Sequence, residues 1–541
     1  MSVPGLRRGR ACASSMTDRV RVDTTPLGGS ALSRLVQAGR APADWCVARP
    51  TGADQWRDRI EAVRASASNG WWDALQAAAA PSPGSAAADR LAGVVEGRGV
   101  VVTTGQQPGL FGGPVYTWSK ALSALALADA LESETGIPVA PVFWAATDDA
   151  DLAEASWTMV AGADGAERLA LEVAAPDGTR MADVGLPDLG ALHDRLTLAC
   201  GSAADLRPLD LARRAWRPGS TIGAAYVELL RGILEPLGMA VLDAAHPAVA
   251  AAAHPVLVRA LHERERIHRA LGDRGAAIRA AGHEPQVHEM DDLTLVFHRR
   301  DGRRLRVARA HAAVTAASAD RGTLSPNVLL RPVVERCLLP TVAYVAGPAE
   351  LAYFTQVSAV AAAIDAWQPL GVPRWSVTLV EPDVSAILSR YGLEVGDLAD
   401  PHGAETRLAK AAWPDGVAAA MERLRRDVSG GLAAVRDSVA DADGLMPAAP
   451  VEGLARTLSF RIGRLERRIT AAVKRRDVAT ARDLRVARGS LFPGGLRQER
   501  ALNLLPLLVR HGPPLLEAMR QEAGRHARTL VGAGSASGAL P

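Results

Sequence analysis

Runs of apolar residues and changes in their spacing divide the first part of the chain into successive elements. Residues up to about 96 have a helical pattern, and the consecutive valines at 100–102 predict a buried strand. The pattern turns helical from residue 114 to about 134, and the apolar segment 138–146 predicts a second buried strand. A strand, a helix and a strand in this order predict a βαβ unit, and therefore a parallel sheet.

Beyond this unit the alternation is irregular before the core pattern returns. Short strand candidates occur around residues 239–242, 293–298 and 305–307, and we interpret about 155–320 as insertions beside the parallel core. A strand at 341–347, a helix to about 366 and a strand at 377–382 (VTLVEP) then continue the core. These patterns predict an α/β fold whose parallel-sheet core, with inserted connecting segments, spans residues 25–400.

Two amphipathic stripes follow residue 400. Apolar residues recur at spacings of 3 and 4 over 417–439 and again over 454–469, with a turn-like segment between them. This pattern predicts an antiparallel α-helical coiled coil within residues 401–490. We expect 491–541 to return to the core and end in a disordered tail, and 1–24 to form a disordered leader.

The second predicted helix has a basic face that allows two interpretations. The spacing favours a solvated coiled-coil face over an anion-binding surface. The residues concerned are Arg461, Arg464, Arg467, Arg468, Lys474, Arg475 and Arg476.

Composition narrows the class of protein. The formal net charge is +3 over 541 residues, too small to indicate nucleic-acid binding. No uninterrupted apolar run is long enough to span a membrane. The four cysteines form no CxxC pair, which indicates neither a disulfide framework nor a zinc site. We therefore expect a cytoplasmic protein with no nucleic-acid or membrane partner and no dedicated metal site.

The first candidate for chemistry is the glycine-rich run TGQQPGLFGGP at 104–114, which follows a buried strand and opens a helix. Such a loop can turn backbone N–H groups toward an anion, although it has neither the Walker A nor the GxGxxG spacing. We favour ligand binding by Thr104, Gly105, Gln106 and Gln107, the alternative being a tight turn without a ligand.

Tyr116 and Lys120 lie on the first turns of the helix that follows this run. Lys120 could neutralise a phosphate or a carboxylate of a ligand there. From its spacing alone, it could equally be an ordinary surface lysine.

The second candidate is WAATDDAD at the carboxyl end of the second strand, with Trp144, Asp148, Asp149 and Asp151. Open parallel sheets bind ligands at this edge. The three acids could hold an amine, a sugar hydroxyl or a magnesium ion, or they could be solvated residues of a helix cap.

The third candidate combines Asn327 and Arg331 with Gly347, Glu350 and Tyr353. Arg331 could clamp a carboxylate or a phosphate in a bidentate manner. Gly347 again ends a strand and precedes a helix, which would bring Glu350 and Tyr353 to the same edge. The alternative is a structural ion pair between Arg331 and Glu350.

Together these segments resemble the BshC family. VTTGQQPGLFGGPVYTWSKA at 102–121, FWAATDDADLAE at 143–154, the segment 327–353 with VPR after it, and LFPGGLRQER at 491–500 are similar to that family's signatures. The resemblance covers about residues 25–525. Two differences lie in the second signature, where Ala150 replaces a histidine and Asp148 replaces a glutamate.

The resemblance implies a Rossmann-like core with connecting insertions and a C-terminal coiled coil that forms a homodimer. It also implies a ligase that joins cysteine to glucosaminyl-malate, the last step of bacillithiol synthesis. ATP with Mg²⁺ is implied by this fold and by the chemistry of amide formation. The alternatives are a related ligase for another amino acid or amino sugar, or a non-catalytic nucleotide- or sugar-binding homologue.

The resemblance places the three groups of residues around one substrate or nucleotide pocket. We expect Asp149 or Asp151 to be the general base that keeps the amine neutral, with Lys120 also catalytic. Arg331 is then the candidate for the malate carboxylates. The other expected binding residues are Thr104, Gly105, Gln106, Gln107, Tyr116, Trp144, Asp148, Asn327, Gly347, Glu350 and Tyr353.

Overall fold

A computed structural model describes residues 19–68, 70–288, 290–400, 402–442 and 446–532. Most of the expected leader and the expected tail lie outside the described residues. The first strand begins at Arg21, so the described chain forms structure before the boundary of 25 that we expected.

The described chain consists of two compact units. The first comprises the chain up to Val160, Glu167–Leu379 and the chain from Gln498 onward. The second comprises Ala161–Ala166 and Val380–Arg497.

The strands differ in their surroundings, and only some of them belong to the central sheet. They are β1 (Arg21–Thr24), β2 (Val100–Gln106), β3 (Val139–Ala145), β4 (Trp157–Gly162), β5 (Gly165–Ala170), β6 (Ala240–Asp243), β7 (Leu293–Arg300), β8 (Arg303–Ala308), β9 (Leu324–Pro326), β10 (Thr341–Ala346), β11 (Gly371–Pro373) and β12 (Val377–Val380).

Helices make up much of the remaining described chain. Those up to Leu379 are α1 (Ala31–Gln37), α2 (Ala53–Ser66), α3 (Trp71–Ala79), α4 (Ala86–Glu96), α5 (Val115–Thr135), α6 (Leu152–Ala155), α7 (Gly190–Cys200), α8 (Arg207–Ala215), α9 (Ile222–Leu234), α10 (Pro247–His262), α11 (Arg264–Ala280), α12 (Ala312–Ser318), α13 (Arg331–Leu338) and α14 (Pro348–Ala363). Those that follow are α15 (Pro382–Tyr391), α16 (Gly403–Ala411), α17 (Asp415–Asp441), α18 (Ala449–Arg476), α19 (Val478–Leu491), α20 (Gln498–Ala501) and α21 (Leu505–Val531).

A five-stranded parallel sheet forms the centre of the first unit, in the order β11-β10-β2-β3-β6. Strand β3 is buried along its whole length, and β2 is buried except at its last residue. Continuous apolar runs of this kind are typical of strands covered on both faces. The predicted Rossmann-like α/β class is confirmed.

Two details of the predicted sheet are wrong. Strand β6, which we assigned to the insertions, is an edge strand of the sheet and pairs with β3. The segment VTLV forms β12, which pairs with β1 outside the sheet. The edge position next to β10 belongs to β11, whose three residues end in a proline and are too short for an apolar pattern.

Helix α5, which follows the loop after β2, is a buried helix. It is buried around most of its circumference, because it packs on β2 and β3 and is also covered by α21. A helix that is apolar on all sides is typical of a position inside a domain.

A buried ion pair fixes the short helix α20 to the segment before β12. The Arg374 guanidinium lies 2.8 Å from the Glu499 carboxylate, and both side chains are nearly inaccessible. Glu499 also accepts hydrogen bonds from Ser376 Oγ and the Val377 N–H. Gln498 beside it exchanges two 2.7 Å hydrogen bonds with the backbone of Leu379.

The second unit contains the predicted pair of long helices, α17 and α18, which pack against each other. Residues 443–445 of the connection lie outside the described residues. Gly430 and Gly431 do not interrupt α17. A separate apolar cluster forms where α15, α16 and α19 meet, with Ile387, Leu398 and Leu484 among its members.

The basic face of α18 is largely exposed. Lys474 is the exception, since its Nζ lies 3.4 Å from Glu405. Solvent exposure agrees with the interpretation of a solvated face. Of the helices in the described ranges, none is long and apolar enough to cross a membrane.

The buried pair leads to a prediction about stability. Glu499→Gln leaves the Arg374 cation buried without its counter-charge, so we expect it to lower the free energy of unfolding by about 3–5 kcal/mol. Urea denaturation measures this loss. The matched control is Glu517→Gln, whose partner Arg520 is 3.9 Å away on an exposed helix face and which should cost less than about 1 kcal/mol. Equal effects of the two changes would contradict a structural role for the buried pair.

Candidate active site

A cavity of about 490 Å³ lies at the carboxyl ends of β2, β3 and β10. This is the edge at which open parallel sheets bind ligands. The structure brings most of the predicted site residues together here. The predicted residues that line the cavity are Gly105, Gln106, Gln107, Tyr116, Lys120, Trp144, Asp148, Asp149, Asn327, Arg331, Gly347, Glu350 and Tyr353.

Two predicted residues are not among those that line the cavity. Thr104 is fully buried, and its hydroxyl donates a 2.8 Å hydrogen bond to the carbonyl oxygen of Val345, which ties β2 to β10. Asp151 is exposed, and its carboxylate accepts the Glu154 N–H as the N-cap of α6. Both therefore have structural partners that explain their residue type.

Gly105 allows the two central strands to approach each other at the cavity floor. A Cβ at this position would lie 2.8 Å from the carbonyl oxygen of Trp144 on β3, which is too close for any side chain. The glycine is thus required by packing at the point where β2 ends.

Lys120 is a buried residue, so its interpretation as a surface lysine is wrong. Its Nζ lies 2.7 Å from the Gly105 carbonyl oxygen, 3.1 Å from Gln106 Oε1 and 2.6 Å from Glu350 Oε2. Burial lowers the pKa of Lys120, although the Glu350 carboxylate favours its charged form. An ammonium group has three N–H donors, and all three have acceptors here.

Glu350 completes this arrangement from the start of α14. Its carboxylate accepts hydrogen bonds from the Gly347 N–H at 2.6 Å and from the Tyr344 hydroxyl at 2.7 Å, in addition to the Lys120 contact. Burial alone would raise the pKa of Glu350, but the Lys120 cation and these hydrogen bonds outweigh it and hold the pKa below the usual range.

Arg331 is paired with Glu335 and not with Glu350 as the ion-pair alternative proposed. Its guanidinium lies 2.8 Å from Glu335 Oε2 and 3.1 Å from the Tyr344 hydroxyl oxygen. The reason is local, because Arg331 begins α13 and Glu335 follows one turn later. Much of its hydrogen-bonding capacity is therefore used inside the protein.

The cavity acids have different environments. Asp149 accepts the Ala150 N–H at 2.8 Å and pairs with Arg304 at 3.1 Å. Asp148 has no hydrogen-bonded side-chain partner among the described residues. Burial raises the pKa of Asp148, with the Arg304 cation opposing the shift and the Asp149 carboxylate adding to it. Burial also raises the pKa of Glu154, which lines the cavity but accepts a hydrogen bond from Tyr116, so Asp148 is the cavity carboxylate better suited to accept a proton.

Tyr116 links the glycine-rich loop to the segment after β3. Its hydroxyl accepts a 3.1 Å hydrogen bond from Gln106 Nε2 and donates a 3.3 Å bond to Glu154. Burial raises the pKa of Tyr116, and the Glu154 carboxylate raises it further. The tyrosine therefore stays neutral and orients Gln106.

Sequence reasoning missed four cavity arginines, one carboxylate and one aromatic residue. They are Arg304, Arg306, Arg374, Arg500, Glu154 and Phe297. Arg304 lies 4.0 Å over the Phe297 ring. The alternation of arginine in RRLRVA could have indicated that Arg304 and Arg306 share one face of a strand. Arg374 and Arg500 lie inside the quoted segments VPR and LFPGGLRQER but received no role.

A metal ion would find few protein ligands in this region. Within the described residues, no three His, Cys, Asp or Glu side chains are grouped closely enough to hold one. Mg²⁺ commonly needs only one or two carboxylates when substrate phosphates supply other ligands. Asp149 lines the cavity and could supply one such carboxylate.

Comparison with known proteins agrees with this arrangement. The sequence profile of the bacillithiol biosynthesis BshC N-terminal Rossmann-like domain matches residues 46–375, and that of the BshC C-terminal coiled-coil domain matches 377–528. Relatives named "Putative cysteine ligase BshC" include proteins from Solibacter usitatus (34% identical, covering 80% of this chain and 83% of the relative) and Koribacter versatilis (31%, 78% and 82%). One from Thermus thermophilus is 30% identical over 78% of this chain and 85% of its own. The chain therefore belongs to the BshC family of bacillithiol biosynthesis.

Proposed function

We propose that this protein is a ligase that joins the carboxyl group of cysteine to the amine of glucosaminyl-malate. The observation that carries the proposal is that all four family-like segments of the sequence contribute residues to a single cavity. Gln106, Asp148, Arg331 and Arg500 represent the four segments. The names of the relatives as cysteine ligases support the choice of reaction.

Forming an amide from two free substrates requires an activated acid and a neutral amine. ATP with Mg²⁺ would supply the activation of the cysteine carboxyl group, since a carboxylate does not condense with an amine in water. The loop after Gly105 offers backbone N–H groups for phosphates, and Asp149 offers an oxygen ligand for the ion.

Asp148 is the proton acceptor in this proposal. The amine of the sugar must lose a proton to attack the acyl carbon, and it loses another as the amide forms. A carboxylate with a raised pKa and no ion-pair partner among the described residues accepts such protons better than Asp149, whose carboxylate lies 3.1 Å from the Arg304 guanidinium.

Ala150 favours a second candidate, a related ligase with a different amino acid or amino sugar as substrate. The family pattern has a histidine at this position. Here the Ala150 N–H donates to Asp149, and Ala150 is not among the described residues that line the cavity. A missing imidazole beside the cavity would alter the substrate groups that the site accepts.

The test of the proposed reaction is mass spectrometry of the purified full chain incubated with cysteine, glucosaminyl-malate and Mg-ATP. We expect a product at the mass of the condensed amide only when ATP is present. Product without ATP would contradict an ATP-dependent route. Folded protein that yields no product in either condition would contradict the ligase proposal, and reactions with other amino acids would then test the second candidate.

Replacing Asp148 tests its chemical role through turnover and its effect on stability through thermal unfolding. Asp148→Asn removes the proton acceptor, so we expect turnover to fall by about 100- to 10,000-fold. Burial raises the folded pKa of Asp148, so the stability that this carboxyl contributes is present at low pH and lost as pH rises through that pKa. The variant should therefore unfold at a higher temperature than the wild type at neutral pH, with the difference shrinking toward pH ~4.

The matched control is Asp151→Asn, because asparagine and aspartate cap helices about equally well. It should retain turnover, whereas loss of activity there and not at Asp148 would return the role of base to Asp151. The wild-type rate should also fall on acidification with an apparent pKa above the usual value for aspartate.

We further propose that two chains associate through α17 and α18. Large apolar side chains remain exposed on these helices, among them Phe460 (64% exposed) and Leu454 (51%). Exposed apolar stripes of this kind usually have a partner. Leu454→Glu with Phe460→Glu should convert a dimer to a monomer in sedimentation velocity. Val314→Glu, an exposed apolar residue on α12, should leave the sedimentation unchanged. A wild-type monomer would contradict the proposal.

A further inference from the structure

Most cations that line the cavity are committed to acceptors inside the protein. Lys120 has three acceptors, and Arg374 is paired with Glu499. Arg304 contacts Asp149, donates to Ser325 Oγ at 2.9 Å and also donates to the carbonyl oxygen of Pro326. Turning such a group toward a ligand would leave a buried acceptor without its donor, which opposes the movement.

Arg331 is committed in the same way. Its guanidinium serves Glu335 and the Tyr344 hydroxyl, and it lies 5.1 Å from the centre of the Tyr344 ring. Two of the five N–H donors of Arg331 are thus used by Glu335 and Tyr344, so a substrate carboxylate could use only the remaining ones. Further donors for a substrate anion should therefore be sought elsewhere on the cavity wall.

Asn327 provides such a donor, and its orientation is fixed by the backbone. Its side-chain oxygen accepts the N–H groups of Leu329 at 3.1 Å and Leu330 at 3.0 Å, just before α13. Only the oxygen of the amide can accept these hydrogens, so the NH₂ group must point away from them. This Nδ2 has no hydrogen-bond partner within the described residues, although Asn327 is only 5% exposed and lines the cavity.

Trp144 supplies a second donor without an acceptor. Its indole Nε1 is buried and has no hydrogen-bond partner among the described residues, and the residue is only 3% exposed. Trp118 and Trp216 likewise have buried indole N–H groups without a partner in the described part of the chain, but neither lines this cavity. Trp144 does line it, so an oxygen of a ligand there could satisfy this buried donor.

Arg306 supplies a positive charge close to Asn327. These two residues line both the main cavity and a small adjoining one of about 40 Å³. Within the described residues Arg306 has no carboxylate within ion-pair distance, and its guanidinium donates only to the sulfur of Met290, at 3.3 Å. Arg500 also lines the main cavity, but it lies against Tyr116, at 6.0 Å from the ring centre.

We propose that Asn327, Arg306 and Trp144 form a subsite for a substrate carboxylate. The set contains two neutral N–H donors and one guanidinium and no unpaired acceptor, so it is suited to an anionic oxygen group and unsuited to an amine. The subsite rests on the proposed function for the identity of its ligand. There the carboxylate comes either from the malyl group or from cysteine.

Asn327→Asp distinguishes the two functions of this side chain. Aspartate keeps the oxygen that caps the loop before α13, so the variant should fold with a melting temperature close to that of the wild type. It loses the NH₂ donor and adds a negative charge. Calorimetric titration of the full chain should then show carboxylate affinity lowered by at least about 10-fold, the scale of one lost charge-assisted contact.

Arg306→Gln should lower the same affinity by a similar factor. Its matched control is Arg303→Gln on the same strand, where the alternation of β8 places the side chain on the opposite face. Arg303→Gln makes the same change in net charge and should leave the affinity unchanged. Malate, cysteine and glucosaminyl-malate are titrated separately, with glucosamine as the ligand that lacks a carboxylate. The ligand whose affinity falls in the variants identifies the source of the carboxylate.

Resonances of the indole N–H groups provide an independent measurement. The Trp144 cross-peak, assigned by its loss in Trp144→Phe, should move when the carboxylate ligand is added, while the peak lost in Trp216→Phe should stay in place. Unchanged carboxylate affinity in Asn327→Asp and Arg306→Gln, or tighter glucosamine binding in Asn327→Asp, would overturn the subsite.

The two proposals fail in different ways. A wild-type protein that binds carboxylates through these residues but forms no amide retains the subsite and loses the proposed reaction. Amide formation with unaltered kinetics and affinity in both variants retains the reaction and removes the subsite. A wild-type protein that binds no carboxylate overturns the subsite directly.

Discussion

The ion pair between Lys120 and Glu350 joins the three segments on which the cavity depends. Lys120 extends from α5 to the end of β2, and Glu350 extends from the start of α14 to Gly347 and Tyr344. Removing two charges from water is costly, and here the cost is offset because every donor and acceptor of the pair has a partner. The result is a fixed junction at the carboxyl edge of the sheet, where the loops after β2 and β10 must hold their positions.

This junction also decides which groups remain for chemistry. Because Lys120, Arg304, Arg331 and Arg374 are held by internal acceptors, the cavity has many cations but few that can turn toward a ligand. The groups left over are neutral N–H donors, Arg306, Arg500 and the carboxylate of Asp148. Because most cations on the cavity wall are paired inside the protein, the cavity attracts phosphate less strongly than their number suggests. Orientation of the substrates therefore contributes more to the function of the site than its net charge does.

The sequence was sufficient to predict the central sheet elements and most of the cavity residues, because both depend on local patterns. Buried strands such as β2 and β3 can be recognised from their apolar residues, and the residues just after parallel strands meet at one edge of the sheet. The partners of those residues were harder to predict. Arg304 reaches Asp149 across 155 positions, and no spacing rule connects them. In contrast, the Arg331–Glu335 pair lies at i,i+4 on one helix and could have been chosen over Glu350 from spacing alone.

Burial is the other property that the sequence did not supply. Lys120 and Asp148 are ordinary polar residues in the sequence, and only the packing of α5 and of the segment after β3 buries Lys120 and partly buries Asp148. Strand β6 illustrates the same limit, since four residues inside an irregular region carry too little pattern to distinguish a core strand from an insertion.

The absence of the family histidine at Ala150 can be understood through Asp148. An imidazole has an ordinary pKa near 6.5, which suits proton transfer at neutral pH, whereas an exposed aspartate at ~3.9 does not. Burial raises the pKa of Asp148 above the ordinary value of aspartate, and the carboxylate of Asp149 is paired with Arg304 at 3.1 Å. In the proposed mechanism the two adjacent aspartates therefore differ, Asp148 being the proton acceptor and Asp149 the partner of Arg304. The proposed mechanism therefore transfers protons without an imidazole. In it, Ala150 affects which substrate fits the site more than it affects the capacity for catalysis.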